Sequence, residues 1–175
     1  MKPPEHLEVV ELAGTPVTLR TMQPGDRDIE DAFVRRLSPG SRYLRFHSAL
    51  KQLTPAMLDR FTNVNYPDEM ALIATIGEDG REREIGVARY VRTPGSDRAE
   101  VAVAVADDWQ GKGLGTRLLL RLRDIAREAG VKHLEATVLP QNQAMLSLAR
   151  QLGFTRVSGQ TDAHTVELGK EVDSK

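Results

Sequence analysis

No cysteine occurs among the 175 residues. A disulfide framework, a zinc–thiolate site, an iron–sulfur cluster and a cysteine nucleophile are therefore excluded, and the composition suits a reducing cytoplasm. Aromatic residues make up only 5% of the chain, with a single tryptophan, which argues against a base-stacking surface. Charge of neither sign prevails: 24 Lys and Arg against 25 Asp and Glu leave a net charge of −1. No global basic field is present to hold nucleic acid. No apolar run approaches the ~18 residues of a membrane span. The opening Met1-Lys2-Pro3-Pro4-Glu5-His6 lacks the apolar stretch of a signal peptide. The expectation is a cytoplasmic protein with neither a membrane nor a nucleic-acid partner. His6, His47, His133 and His164 lack metal-ligand spacing, so no metal is expected, and no G-x-S-x-G string supports a serine hydrolase.

The length fits one domain, since domains run to ~100–200 residues, and a core of that size holds without disulfides or a structural metal. Strand-like and helix-like patterns alternate from about Pro16 to Gly169 without an internal repeat. The expectation is one domain over residues 1–175 with its core over about 16–169, and frayed ends in the Pro/Glu-rich opening and the tail 171–175. Val17-Thr18-Leu19-Arg20 alternates with period two as a first strand. Asp26 is placed to cap a helix carrying Ile29, Ala32, Phe33 and Leu37, which Ser38-Pro39-Gly40 ends. Residues 41–50 follow as a short helical or irregular segment, and Thr54-Pro55 opens a helix bearing Met57, Leu58 and Phe61. Residues 70–76 and 85–91 are apolar strands joined by the hairpin turn Glu78-Asp79-Gly80-Arg81. In the strand 99–106 the valines fall on one face, and the alanines and Glu100 on the other. Residues 111–129 form the longest helix, striped by Leu114, Leu118, Leu122, Ile125 and Ala129 and stopped by Gly130. A strand over 134–139, a helix over 141–152 and closing strands at 154–157 and 165–168 complete a mixed α/β layout with an antiparallel front half.

The sharpest local signal is Gln110-Gly111-Lys112-Gly113-Leu114-Gly115, which follows a strand after Asp107-Asp108-Trp109 and opens the long helix. The first turn of a helix leaves N–H donors unpaired and carries about half a positive charge. Glycines let an anion's oxygen reach those donors. Spacing separates the known users of this device. No G-x-x-x-x-G-K-[ST] string occurs, and the turn reads G-x-G-x-G rather than the G-x-G-x-x-G of dinucleotide sites. The pattern that remains is [Q/R]-x-x-G-x-[G/A], met by Gln110, Gly113 and Gly115. Taken alone, the string also suits a glycine-rich helix start with no ligand.

On these residues the segment resembles the acetyl-coenzyme-A pyrophosphate loop of the GNAT superfamily of N-acetyltransferases. The likeness extends from about Val17 to Leu168 in the order of strands and helices. It implies a single GNAT-type α/β domain: a central mixed, mostly antiparallel twisted sheet flanked by helices. It implies acetyl-CoA as cosubstrate, without a metal, against Gln110, Gly111, Lys112, Gly113, Leu114, Gly115 and Thr116. Asn142, in Leu139-Pro140-Gln141-Asn142 and followed by Leu152-Gly153-Phe154, matches a family asparagine beside the cofactor arm; alone it reads as a helix cap. The strings Ser41-Arg42-Tyr43-Leu44-Arg45-Phe46, Phe61-Thr62-Asn63-Val64-Asn65-Tyr66, Glu69-Met70-Ala71-Leu72 and Ala99-Glu100-Val101-Ala102-Val103 are similar to the catalytic domain of bacterial protein-lysine acetyltransferases that modify acyl-CoA synthetases. Asn65 departs from the aspartate of that subfamily. The acceptor so implied is a primary amine, a lysine of a protein such as an acyl-CoA synthetase. A small-molecule amine, and a catalytically weak acyl-CoA-binding regulatory domain, are the alternatives. Acyl length and oligomeric state, a homo-oligomer included, stay open.

Direct transfer to an amine needs a base, because a lysine amine of pKa about 10.4 is almost wholly protonated near pH 7. Glu100 resembles the strand glutamate that serves as general base in many family members. It is also a lone carboxylate on an otherwise alanine face, where poor solvation would raise its pKa. The plainer reading is an edge carboxylate in solvent, paired with Arg98 or Arg89. The resemblance further implies that backbone N–H groups around Val103 to Val105 receive the thioester oxygen and pair the pantetheine arm like an added strand. Many members carry a tyrosine seven positions after the asparagine, but Ala149 stands there, and Tyr43, Tyr66 and Tyr90 read as structural. Lys112 is placed to reach a phosphate, while Arg117 and Arg121 read as a solvated helix face. Trp109 lines the cofactor's entry or anchors its loop. Arg35, Arg36, Arg42 and Arg45 form a solvated basic face, or a rim for an acidic protein surface.

Overall fold

The computed structural model describes residues 2–157 and 164–173. Its strands are β1 (Leu7–Leu12), β2 (Thr15–Thr21), β3 (Glu69–Glu78), β4 (Arg81–Arg92), β5 (Arg98–Val105), β6 (His133–Val138), β7 (Thr155–Arg156) and β8 (Val166–Glu171). They form one sheet in the order β1-β2-β3-β4-β5-β6-β8-β7. Every neighbouring pair is antiparallel except β5 and β6, which run parallel. The helices are α1 (Arg27–Arg36), α2 (Pro39–Phe46), α3 (Pro55–Thr62), α4 (Leu114–Glu128) and α5 (Gln143–Gln151). This is the mixed, mostly antiparallel α/β sheet that the sequence implies.

β3 and β4 are apolar on both faces because both faces are covered. A Cβ at Gly86 would stand 3.1 Å from Leu114 and Leu118, so that side of β4 receives α4. Arg89, of opposite parity, reaches Glu30 of α1 on the other side. The α4 stripe of Leu114, Leu118 and Leu122 is at most 1% exposed. Each such leucine contributes about 1.5–3 kcal/mol of burial. The β3–β4 hairpin turns at Asp79 and Gly80, both left-handed at φ 53° and 74°, the backbone that matches the twist of a two-residue loop.

Five local expectations are corrected. The opening is not frayed over Leu7–Leu12, which pairs residue for residue with β2; its Leu7 and Val9 are 73% and 65% exposed, so no buried stripe marks it. Asp26 does not cap α1 with its side chain. It ends a short 3₁₀ turn, accepts from the Gln23 amide at 2.6 Å and receives two Arg20 nitrogens at 2.8 Å. Ser38-Pro39-Gly40 does not merely stop a helix but starts α2, where the Ser38 hydroxyl accepts from the Ser41 amide and Pro39 sits at the first position. α4 begins at Leu114, three residues later than expected, because Gly111 and Gly113 hold left-handed φ of 75° and 86°. At the tail, β8 continues to Glu171, and Val172 is 1% exposed with its amide on the Lys132 carbonyl; Ser174 and Lys175 lie outside the described residues.

Candidate active site

β5 and β6 pair through only three residue couples, Arg98 with His133, Ala99 with Leu134 and Glu100 with Glu135. Past Glu100 the ladder between them ceases, although β5 runs on to Val105 and β6 to Val138. The parallel strands thus part into a wedge with Glu100 at its vertex. On its other side β5 keeps its antiparallel ladder to β4 through Val105. The edge facing β6 is left with main-chain donors and acceptors that no strand satisfies, which is where an extended amide-bearing chain pairs.

The wedge opens into a groove in two connected parts. One part is lined by the turn residues Gln110, Gly111, Gly113, Leu114, Gly115 and Thr116, by residues 103–105 of β5 and by Met145 and Leu148 of α5. The other holds Glu100, Val101, Ala102, Ala136, Thr137, Val138 and His47. Leu44, Arg45, Val103, Asn142 and Met145 border both parts and make them continuous. In the first part, a Cβ at Gly111 or Gly113 would meet nothing within 4 Å. Space therefore lies open above the unpaired N–H groups of the first turn of α4, as a phosphate-bearing ligand requires. Gly115 is closed differently, since its Cβ would stand 3.1 Å from Leu148.

The turn is braced from beneath. Gln110 donates its side-chain amide to the Val105 carbonyl at 3.1 Å and lies 3.4 Å from the Ser41 hydroxyl. Asp107 accepts from the Ser38 amide and the Ser41 hydroxyl, each at 3.1 Å, and so ties the α1–α2 junction to the end of β5. Burial acts to raise the Asp107 carboxyl, but the Ser38 and Ser41 hydrogen bonds outweigh it and hold it below the usual range. Asp108 is lowered by its bonds from Arg83, at 3.0 and 3.1 Å. Trp109 is 7% exposed and lines the groove, so it both anchors the loop and faces the ligand space.

The sequence-chosen residues gather here, with one exception. Lys112 does not line the groove: its amine bonds the Asp108 carbonyl at 3.0 Å and rests 4.8 Å over the Trp109 ring. Asn142 is both things at once, capping α5 through the Met145 amide at 3.1 Å while bordering both parts of the groove. Glu100 is exposed, which removes the premise of poor solvation. It does not pair with Arg98 or Arg89, which bind Glu135 and face Glu30. Ala149 is fully buried and lines neither part, so no side chain there serves as an acid. Tyr90 is buried with its hydroxyl on the Pro67 carbonyl. Sequence reasoning passed over Leu37, Ser41, Leu44, Met145 and Leu148; the i, i+3 spacing of Met145 and Leu148 after Asn142 is the one signal that marks part of this wall. Among the described residues no cluster of His, Cys, Asp or Glu is arranged to hold a metal.

Comparison with known proteins agrees with this geometry. Residues 38–154 match the family model described as the acetyltransferase (GNAT) family. The chain is 38% identical over 149 residues to Acetyltransferase PA5475 of Pseudomonas aeruginosa, covering 85% of this chain and 78% of that protein. It is 36% identical over 136 residues to Acetyltransferase Pat of Mycolicibacterium smegmatis, covering 77% of this chain but only 40% of that longer protein. The crystal structure of the GNAT domain of S. lividans PAT superposes with a TM-score of 0.87 at 30% identity, covering 94% of this chain and 96% of that one. With the wedge, the glycine turn and these likenesses together, the chain belongs to the GNAT family of acetyltransferases.

Proposed function

We propose that the protein is an acetyl-CoA-dependent N-acetyltransferase that passes the acetyl group directly to a primary amine, a lysine of a protein. The observation that carries this reading is the continuity of the groove from the glycine turn, past the unpaired edge of β5, to Glu100. The residues present fit the cosubstrate. Gly111, Gly113, Gly115 and Thr116 would hold its pyrophosphate, Val103 to Val105 its amide-bearing arm, and Asn142 would border that arm. Acetyl-CoA would supply an activated thioester. The chain's own part is to align the amine, accept its proton and stabilise charge. Glu100, in water at the vertex, takes the proton directly or through one water. Backbone N–H groups between Val103 and Val105 meet the negative charge growing on the thioester oxygen. With Ala149 in place of a tyrosine, the thiolate leaves without a side-chain acid, which its pKa of about 8.5 permits.

A protein acceptor is what the strings that resemble the protein-lysine enzymes imply; the likeness to Acetyltransferase Pat of M. smegmatis, over the 40% of that protein the chain spans, supports acetyl transfer. A second reading, a free amino acid, is favoured by 43% identity over 74 residues to an L-amino acid N-acyltransferase of Escherichia coli. Acetyl-CoA at a hundred times its Kd should raise stability by about 2.7 kcal/mol, roughly 5–10 °C in Tm for a chain of this size. Gly113→Val should abolish the shift. Steady-state assays with folded acyl-CoA synthetases and a panel of amines then separate the two acceptors. No shift and no turnover with any amine would remove the reading.

A further inference from the structure

Beneath the acceptor end of the groove lies a buried ionic group that proton removal by Glu100 does not use. Glu30 of α1 and Glu84 of β4 are 2% and 1% exposed. Glu84 comes inward where the β3–β4 register shifts between Ala74 and Thr75. Neither oxygen of Glu84, nor Oε2 of Glu30, has a hydrogen-bond partner so long as both are carboxylates. Two carboxylates only accept, so one must hold a proton before they can satisfy each other. Burial first, then the charge and hydrogen bond of Glu30, push Glu84 well above the usual carboxylate range. Glu84 is therefore the acid that donates, and the pair carries one negative charge.

Two guanidinium groups face that single charge. Arg89 stands 3.9 Å from Glu30, lies 4.4 Å over the Phe61 ring and donates to the Phe61 carbonyl at 3.4 Å, with Nη2 unsatisfied. Glu69 and Arg60, farther off, act on it with opposite signs. Arg45 borders both parts of the groove, half-buried, its guanidinium 4.8 Å over the Phe46 ring. Burial and the repulsion of Arg89 lower it to about 10, so it stays charged at neutral pH. Among the described residues Arg45 has neither a hydrogen bond nor an ion pair, and Glu100 acts on it only at longer range. Its neighbours differ: Arg35 binds Asp31, Arg36 binds Glu78, and Arg42 binds the carbonyls of Arg35, Leu37 and Leu50. Arg45 is thus the guanidinium of this group without a partner at hydrogen-bond distance, and it presents a fork of free N–H donors at the groove.

We propose that Arg45, backed by Arg89, determines acceptor specificity by receiving a carboxylate that the acceptor carries beside its reacting amine. The inference rests on reading this groove as an amine-acceptor site. The carboxylate is an acidic side chain next to the target lysine, or the α-carboxylate of a free amino acid. A part-buried guanidinium binds a carboxylate through two parallel N–H···O bonds. The same cation repels an acceptor that brings only an ammonium, so it selects in both directions.

The test compares matched acceptors in the wild type and in Arg45→Gln. One pair is an N-acetylated Asp-Lys dipeptide amide and its Asn-Lys counterpart; the other is leucine and leucinamide. The acid-to-amide ratio of kcat/KM should fall about tenfold or more in Arg45→Gln for at least one pair. The change should reside in KM for the acceptor, and Arg45→Lys should recover part of it. Comparing ratios between proteins cancels the different amine pKa values within each pair. A loss confined to the dipeptides identifies an acidic side chain, and one confined to leucine identifies an α-carboxylate. Equal ratios in both proteins for both pairs would overturn the proposal. If no amine is acetylated, calorimetry with the same pairs and CoA decides: acid-selective binding that Arg45→Gln removes retains the inference while the transfer reading fails, and equal binding overturns it.

Discussion

Individual side chains in this protein answer first to burial and partners, and only then to type. Glu84 illustrates this, since nothing in Glu82-Arg83-Glu84 tells which glutamate is exposed and which is 1% exposed. The two share a face, but Glu84 sits against Glu30 of α1 while Glu82, nearer the end of the strand, reaches Arg20, and period-two reading carries no such tertiary information. An acid whose folded pKa is raised holds its proton more tightly in the fold than in the unfolded chain. Stability therefore falls as pH rises from the unfolded carboxylate value, about 4.3, towards the raised folded value. Glu84→Gln donates to Glu30 without titrating. Its urea-unfolding free energy should be flatter than the wild type's between pH 5 and 8 and higher at pH 8; parallel pH profiles would contradict this. Gly113 was legible through the [Q/R]-x-x-G-x-[G/A] pattern, but the left-handed backbone that requires glycine there was not. At φ 86°, Gly113→Ala should cost about 1–2 kcal/mol, or roughly 2–8 °C in the Tm of the ligand-free protein.

Among the elements, those with strong local signals are where the sequence puts them. α3 starts at Thr54-Pro55, α4 ends at Glu128 just ahead of Gly130 with its φ of 83°, and the β3–β4 turn falls at Asp79-Gly80. The weak ones are held by partners far along the chain. β1 lacks a buried stripe and depends on β2, and the end of β8 depends on Lys132. The α1–α2 junction, which walls the groove, is held by Arg42. Its guanidinium serves carbonyls at the end of α1 and at Leu50 that the helix cannot satisfy. Arg42→Ala should destabilise by about 1.5–3 kcal/mol, the worth of hydrogen bonds to a charged group. Chemical denaturation reads this, and a loss below about 0.5 kcal/mol, the size of an ordinary surface change, would show the junction to be held otherwise.

At the scale of the molecule, function arises from a topological accident put to use: one parallel pair in an otherwise antiparallel sheet, parting after three couples. The glycine turn and Glu100 were legible as separate signals. Their meeting at one groove was not, because it depends on how far β5 and β6 stay paired, and nothing in either strand's sequence marks the end of that ladder at Glu100. The groove's α2 and α5 walls were likewise silent, being ordinary apolar residues. With no cysteine in the chain, no cysteine acyl-enzyme can form. Initial rates against both substrates should give intersecting double-reciprocal lines, the pattern of a ternary complex, rather than parallel ones. The most direct measurement pairs acetyl-CoA affinity with turnover in Glu100→Gln, which keeps the side chain's shape but cannot accept a proton at neutral pH. Affinity should barely change, turnover should fall by roughly 10²–10⁴, and part of the rate should return at high pH, where more of the acceptor amine is already neutral. Near-normal turnover with the wild-type loss of rate on the acid side would contradict the assignment of Glu100 as the base.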